Sequence, residues 1–131
     1  MDTTRSLKLA QFKKALISLE EALQQKKTTI LRDSVIQRFE YTFELAWKSS
    51  KTLLLEQFGV EVFAPKECFR ALRTQDIMKD EEAELLLKMT DDRNEVIHTY
   101  NEKLAESLYG VIQAHYARIL RTLFERLSAI G

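Results

Sequence analysis

Three glycines and one proline are all the backbone punctuation in 131 residues: Gly59, Gly110, Gly131 and Pro65. Both residue types interrupt helices, glycine through its backbone entropy and proline through its missing N–H and its ring. So sparse a supply points to long helices. The apolar periodicity agrees. Leu9, Phe12, Leu16, Leu19 and Leu23 recur at spacings of three and four and predict a helix from about Arg5 to Lys26. Thr28 and Thr29 then offer an N-cap for a second helix reaching about Phe58, with Ile36, Phe39, Phe43, Trp47 and Leu54 as its apolar stripe. Gly59 stands where the residue after a C-cap belongs. Pro65 suits the first turn of a short helix to about Thr74, where the missing N–H would go unpaired anyway. Asp80 can cap a fourth helix, Glu81 to about Tyr100. Asn101 can cap a fifth, Glu102 to about Ala129, with Leu104, Leu108, Ile112, Ile119, Leu123 and Leu127 facing inward. No repeat, low-complexity segment or domain boundary is visible. The expectation is one all-α domain over residues 1–131, an up-and-down four-helix bundle with an additional short helix.

Composition narrows the function classes. Apolar residues make up 45% and charged residues 31%, the balance of a soluble globular chain. Lys+Arg and Asp+Glu stand at 20 each, which argues against holding long duplex nucleic acid by bulk charge but leaves a local basic cleft open. No apolar run approaches the roughly 20 residues that span a bilayer, and "MDTTRSLKLAQF" lacks the apolar core of a signal peptide. A cytoplasmic location without membrane association is expected. Cys68 is the only cysteine, so neither an internal disulfide nor a cysteine-based zinc site can form. No metal or cofactor is expected.

The stretch "TDDRNEVIHTYNE", residues 90–102, breaks the simple amphipathic pattern. At about 100° per residue, Leu85, Leu86, Met89, Val96, Ile97 and Tyr100 gather on one side of the fourth helix, and Asp91, Asn94, Glu95 and His98 on the other. Arg93 falls inside the apolar arc. An arginine there must pair with an acid on a neighbouring helix, snorkel to solvent, or lie in an interface, because an unpaired buried charge is very costly. Arg93 and His98 are about 140° apart around the helix, so one copy does not make a compact site from them, whereas two copies across a two-fold axis can share a cleft. Asn94 lies one turn before His98 and can hydrogen-bond its ring or a ligand.

Arg93-x4-His98-x-Tyr100, with Asn94 after the arginine, resembles the Arg-x4–6-His motif of HEPN-domain proteins. The extension to His-x-Tyr resembles the HEPN toxins paired with minimal nucleotidyltransferase antitoxins. "LRDSVIQRFEYTFELAWKSSKTLL", residues 31–54, is similar to the second helix of the nucleotidyltransferase substrate-binding proteins, a HEPN branch. The resemblance covers about residues 5 to 128. It implies a homodimeric, metal-independent ribonuclease in which His98 is the acid/base, Arg93 clamps phosphate and Asn94 orients one or the other. It implies RNA as substrate and a nucleotidyltransferase antitoxin that transfers AMP to Tyr100. The competing expectation is a non-catalytic subunit that presents substrate to that nucleotidyltransferase or is only its substrate. A third is a scaffold in which the motif is an interface hydrogen-bond network.

The remaining candidates have plainer expected roles. Asp33, Gln37, Glu40 and Glu44 form a polar stripe on the second helix, with Glu44 and Lys48 a favourable i, i+4 pair. Phe39, Phe43 and Trp47 are expected in the core or a dimer interface rather than as base-stacking platforms. Asp91, Asp92 and Glu95 are expected to solvate their helix. His115, with Gly110 five residues before it, is read as structural, and Cys68 as a half-buried thiol without a base nearby.

Overall fold

The computed structural model describes residues 3–130, the side chain of Thr3 excepted. The elements are α1 (Thr3–Leu23), α2 (Thr29–Phe58), α3 (Pro65–Thr74), α4 (Asp80–His98), α5 (Glu102–Val111), a π-helical turn (Ile112–Tyr116) and α6 (Ala117–Ala129). No strand occurs among the described residues. Since α5, the π turn and α6 run on without a break, the architecture is the expected one: four long helical rods, up and down, plus the short α3.

Local chemistry sets most helix ends. Thr28 caps α2, its side-chain oxygen accepting the Leu31 N–H at 3.0 Å. Gly59 ends the helix at φ 67°, ψ 21°, a left-handed conformation that glycine adopts without steric cost, and its N–H bonds back to Leu55 at 3.0 Å. Asn101 caps α5 by accepting the Leu104 N–H at 2.9 Å. The end of α1 and the start of α4 differ from expectation. α1 stops at Leu23, three residues before Lys26. At the start of α4 the cap position is Lys79 rather than Asp80, because Glu82 reaches back to accept the Lys79 N–H at 2.8 Å.

The core runs the length of the bundle. Phe12, Leu16 and Leu19 of α1, Phe39, Phe43 and Leu54 of α2, Phe69 and Leu72 of α3, Leu86 and Met89 of α4, and Ile112, Tyr116 and Leu123 of the last rod are fully buried. Each such side chain removed from water contributes about 1.5–3 kcal/mol. α1 and α2 share the longest seam, and α3 packs against both α2 and α4. The backbones of α2 and α4 make little direct approach, so their facing surfaces are bridged by long side chains. The polar motif lies on that seam. One other expectation is corrected: Cys68 is fully buried rather than half-buried. His115 points outward from the π turn and is exposed.

Candidate functional site

Arg93 sits where the helical wheel puts it, turned from the last third of α4 toward α2 and half-buried. Its guanidinium carbon lies 4.9 Å above the Phe43 ring, and one terminal nitrogen stands 3.7 Å from a Glu44 carboxylate oxygen. Within the chain, the expected pairing with an acid on a neighbouring helix is realised. The pairing is loose. The other terminal nitrogen makes only a long 3.4 Å bond to the Asn94 side-chain oxygen, and the buried Nε has no hydrogen-bond partner. A guanidinium with unused donors above an aromatic face is equipped to accept a further anion.

Glu44 is fixed from its own helix: its second oxygen accepts the Trp47 indole N–H at 2.7 Å. The expected Glu44–Lys48 pair is absent among the described residues, because Glu44 is drawn toward Trp47 and Arg93 instead. Glu40, one turn earlier and part-buried, faces the same arginine. Its burial pushes the carboxyl pKa up, and the Arg93 charge offsets only part of that rise. Asp92 does more than solvate α4, since it accepts a hydrogen bond from the buried Tyr116 hydroxyl. Asp91 pairs with Lys66 of α3.

α4 ends at His98, two residues earlier than the wheel assumed. Thr99 leaves the helix at φ −141°, ψ 68°, and Asn101 already belongs to the next cap. Tyr100 is therefore off the helix and 55% exposed instead of on an apolar arc, and Ile97 is 46% exposed. His98 is exposed at the last helical position. No hydrogen bond joins Asn94 to the His98 ring among the described residues; Asn94 turns to Arg93.

The Tyr100 hydroxyl donates to an Asp33 carboxylate oxygen at 3.1 Å. The same oxygen accepts the Nε–H of Arg32 at 3.1 Å. Partial desolvation of the hydroxyl, and then its bond to Asp33, raise the Tyr100 pKa. Arg32 is the residue that sequence reading missed. It is 2% exposed, grips Glu102 through two hydrogen bonds of 2.7 and 3.1 Å, and donates to Glu106 at 2.9 Å. Those hydrogen bonds raise its own pKa further. The clamp ties the start of α2 to the start of α5 and so anchors the α5 end of the short segment that carries Tyr100. Asp33, Glu40 and Glu44 thus form one acidic edge on α2, running antiparallel to α4, with Glu44 and Glu40 beside Arg93 and Asp33 beside Tyr100. Among the described residues no group of three or more His, Cys, Asp or Glu side chains converges to hold a metal ion, and no helix is long and apolar enough to cross a membrane.

The sequence model of the family described as "Nucleotidyltransferase substrate binding protein like" matches residues 7–129. A crystal structure of a protein from Thermus thermophilus is similar at 41% identity and TM-score 0.82, covering 88% of this chain and 98% of that one. The tri-AMPylated HEPN toxin of Shewanella oneidensis, solved in complex with its MNT antitoxin, is similar at 20% identity and TM-score 0.79, covering 98% and 99% of the two chains. A mutant of the toxin–antitoxin MntA–HpeT gives 17% identity, TM-score 0.79 and the same coverage. At these lower identities the likeness is one of fold: the chain shares its all-α bundle with that HEPN toxin. No curated protein sequence matches the chain significantly.

Proposed function

This chain belongs to the nucleotidyltransferase substrate-binding-like family, and from that premise we propose that it is a HEPN-type toxin. On this reading residues 1–131 act as a single domain, homodimeric, that cleaves RNA without a metal. A minimal nucleotidyltransferase restrains it by transferring AMP to Tyr100. The observation that carries the reading is local: His98 and Tyr100 emerge exposed from the end of the same helix whose Arg93 keeps unused N–H donors. The fold shared with an AMPylated toxin bound to its antitoxin supports the choice of partner.

The chemistry follows from the residue types. His98 takes the proton of an RNA 2′-OH, whose oxygen attacks the adjacent phosphorus. The bond from phosphorus to the 5′ oxygen breaks, and that oxygen leaves with a proton returned by the imidazolium. The products are a 2′,3′-cyclic phosphate and a 5′-hydroxyl end. Arg93 holds the non-bridging oxygens as their charge grows, with Asn94 steadying the guanidinium. Acid–base help of this kind is worth about 10²–10⁴-fold. Because His98 lies about 140° around α4 from Arg93, a second copy across a two-fold axis completes the site.

One observation favours a second reading, a non-catalytic subunit that serves a nucleotidyltransferase. Glu40 and Glu44 flank Arg93, and the chain has no excess of positive charge. Both oppose the approach of RNA phosphates. Inducing wild type and His98→Ala in cells without any partner separates the two. Growth arrest with cleaved RNA from wild type alone establishes the toxin. Two harmless proteins at equal expression put the binding subunit first.

A further inference from the structure

Asp33 is bound on both sides through a single oxygen. Arg32 donates to it from the buried side, and Tyr100 donates to it from the solvent side, both at 3.1 Å. Asp33 itself is exposed, whereas Arg32 is buried and locked by Glu102 and Glu106. The carboxylate therefore has a fixed base and an open face. On that open face it holds the phenol oxygen of a side chain that packs against no core. An exposed tyrosine beyond a helix end otherwise sweeps through its rotamers, and a group transfer to it would have to select one of them.

We infer that Asp33, anchored by Arg32, is the positioning residue that presents the Tyr100 hydroxyl for AMP transfer. The inference rests on the toxin–nucleotidyltransferase reading above and adds a residue to it. In the transfer the phenol oxygen attacks the α-phosphorus of ATP held by the partner enzyme. The bond from that phosphorus to the β-phosphate oxygen breaks, pyrophosphate leaves with the electron pair, and the phenol proton is released to water. Asp33 acts before the step, by accepting the O–H and pointing a lone pair of the oxygen outward. The transfer then abolishes the donor that Asp33 held and places a phosphodiester beside its carboxylate. Like charges expel the modified side chain, so the contact serves the unmodified state alone.

The test incubates the full chain with its cognate nucleotidyltransferase and Mg-ATP and follows AMP addition by intact mass, for wild type, Asp33→Ala, Asp33→Asn and Tyr100→Phe. The expected result is a kcat lower by about tenfold or more in Asp33→Ala, with the KM for ATP unchanged. Asp33→Asn, whose amide oxygen still accepts the O–H, is expected to recover most of the rate. Equal rates for Asp33→Ala and wild type overturn the inference. Asparagine as slow as alanine also overturns it, because the charge rather than the hydrogen bond would then matter. A wild type that is never modified, like Tyr100→Phe, brings down the underlying reading and the inference with it, so the two failures are distinguishable. A readout without the partner guards against a fold defect: tyrosine-ring NMR titration should show the Tyr100 midpoint lower in Asp33→Ala than in wild type, with the other tyrosines unmoved.

Discussion

Arg93 and Glu44 stand 3.7 Å apart, nitrogen to oxygen, across the seam between α2 and α4, with the Phe43 ring beneath the guanidinium. The pair is partly solvated and too long for a hydrogen bond, so its contribution to stability is small, below about 1 kcal/mol. Its influence on anion binding is larger, because Glu44 opposes a phosphate at the very group that would hold one. Glu44→Gln keeps an oxygen for the Trp47 indole N–H and removes only the charge. The expected outcome is unchanged thermal stability and severalfold tighter binding of a single-stranded RNA oligonucleotide, read by fluorescence anisotropy at fixed salt. Adding Arg93→Ala should erase the gain.

The Arg32 clamp predicts an acid-sensitive fold. Arg32 hydrogen bonds hold the Glu102 carboxyl below its ordinary value, while Lys27 first and Arg32 second do so for Glu106. A carboxylate depressed in the folded state contributes stability above its unfolded pKa of about 4.3, and that stability is lost as pH falls through the lower folded value. Arg32→Met removes the cation and keeps an unbranched side chain in the space. Urea midpoints should fall clearly at pH 7, and the gap from wild type should narrow below about pH 4. A gap of the same size at both pH values would mean that packing, not charge, is what Arg32 provides.

These two sites also mark what a sequence reader can and cannot see. Arg93 declares itself because it interrupts an apolar arc built from residues within two turns of it. Arg32 does not, because its partners lie 70 and 74 residues further along the chain and its helix pattern is undisturbed. The helix starts at Thr28, Pro65 and Asn101 and the stop at Gly59 are written in cap chemistry. The end of α4 is not: Tyr100 continues the apolar period, and only the competing cap at Asn101 takes it off the helix. The π turn has no local signature beyond a nearby glycine. The bundle was thus readable from period and punctuation, while the hydrogen bonds that arrange the polar edge needed three dimensions.

Cys68 tests the tightness of the α2–α3 packing. Burial pushes its thiol pKa up to about 12, and its sulfur lies 3.5 Å from the Trp47 carbonyl oxygen, to which it donates. A thiol that stays protonated and covered should not react with a disulfide reagent at about pH 8 while the protein is folded. Labelling should become complete in denaturant, and the slow native rate should track opening of the core. Fast labelling under native conditions would place α3 among the loosely held elements.

The π turn explains how the last rod holds α4 in place. It carries Tyr116, whose ring stacks on Phe39 at 5.9 Å and 19° and whose hydroxyl bonds to Asp92, the residue before Arg93. Burial first, and then that bond, raise the tyrosine pKa, so the hydroxyl remains a donor throughout the neutral range. Tyr116→Phe keeps the stacked ring and removes the donor. Asp92 is partly solvated and can turn to water, so the loss should be about 1–2 kcal/mol in a denaturant titration. If the bond also sets where α4 carries Arg93, the same substitution should weaken RNA binding by a few-fold in the Glu44→Gln background and leave it unchanged once Arg93 is alanine. Additive effects across that cycle would show that Tyr116 stabilises the bundle without positioning the arginine.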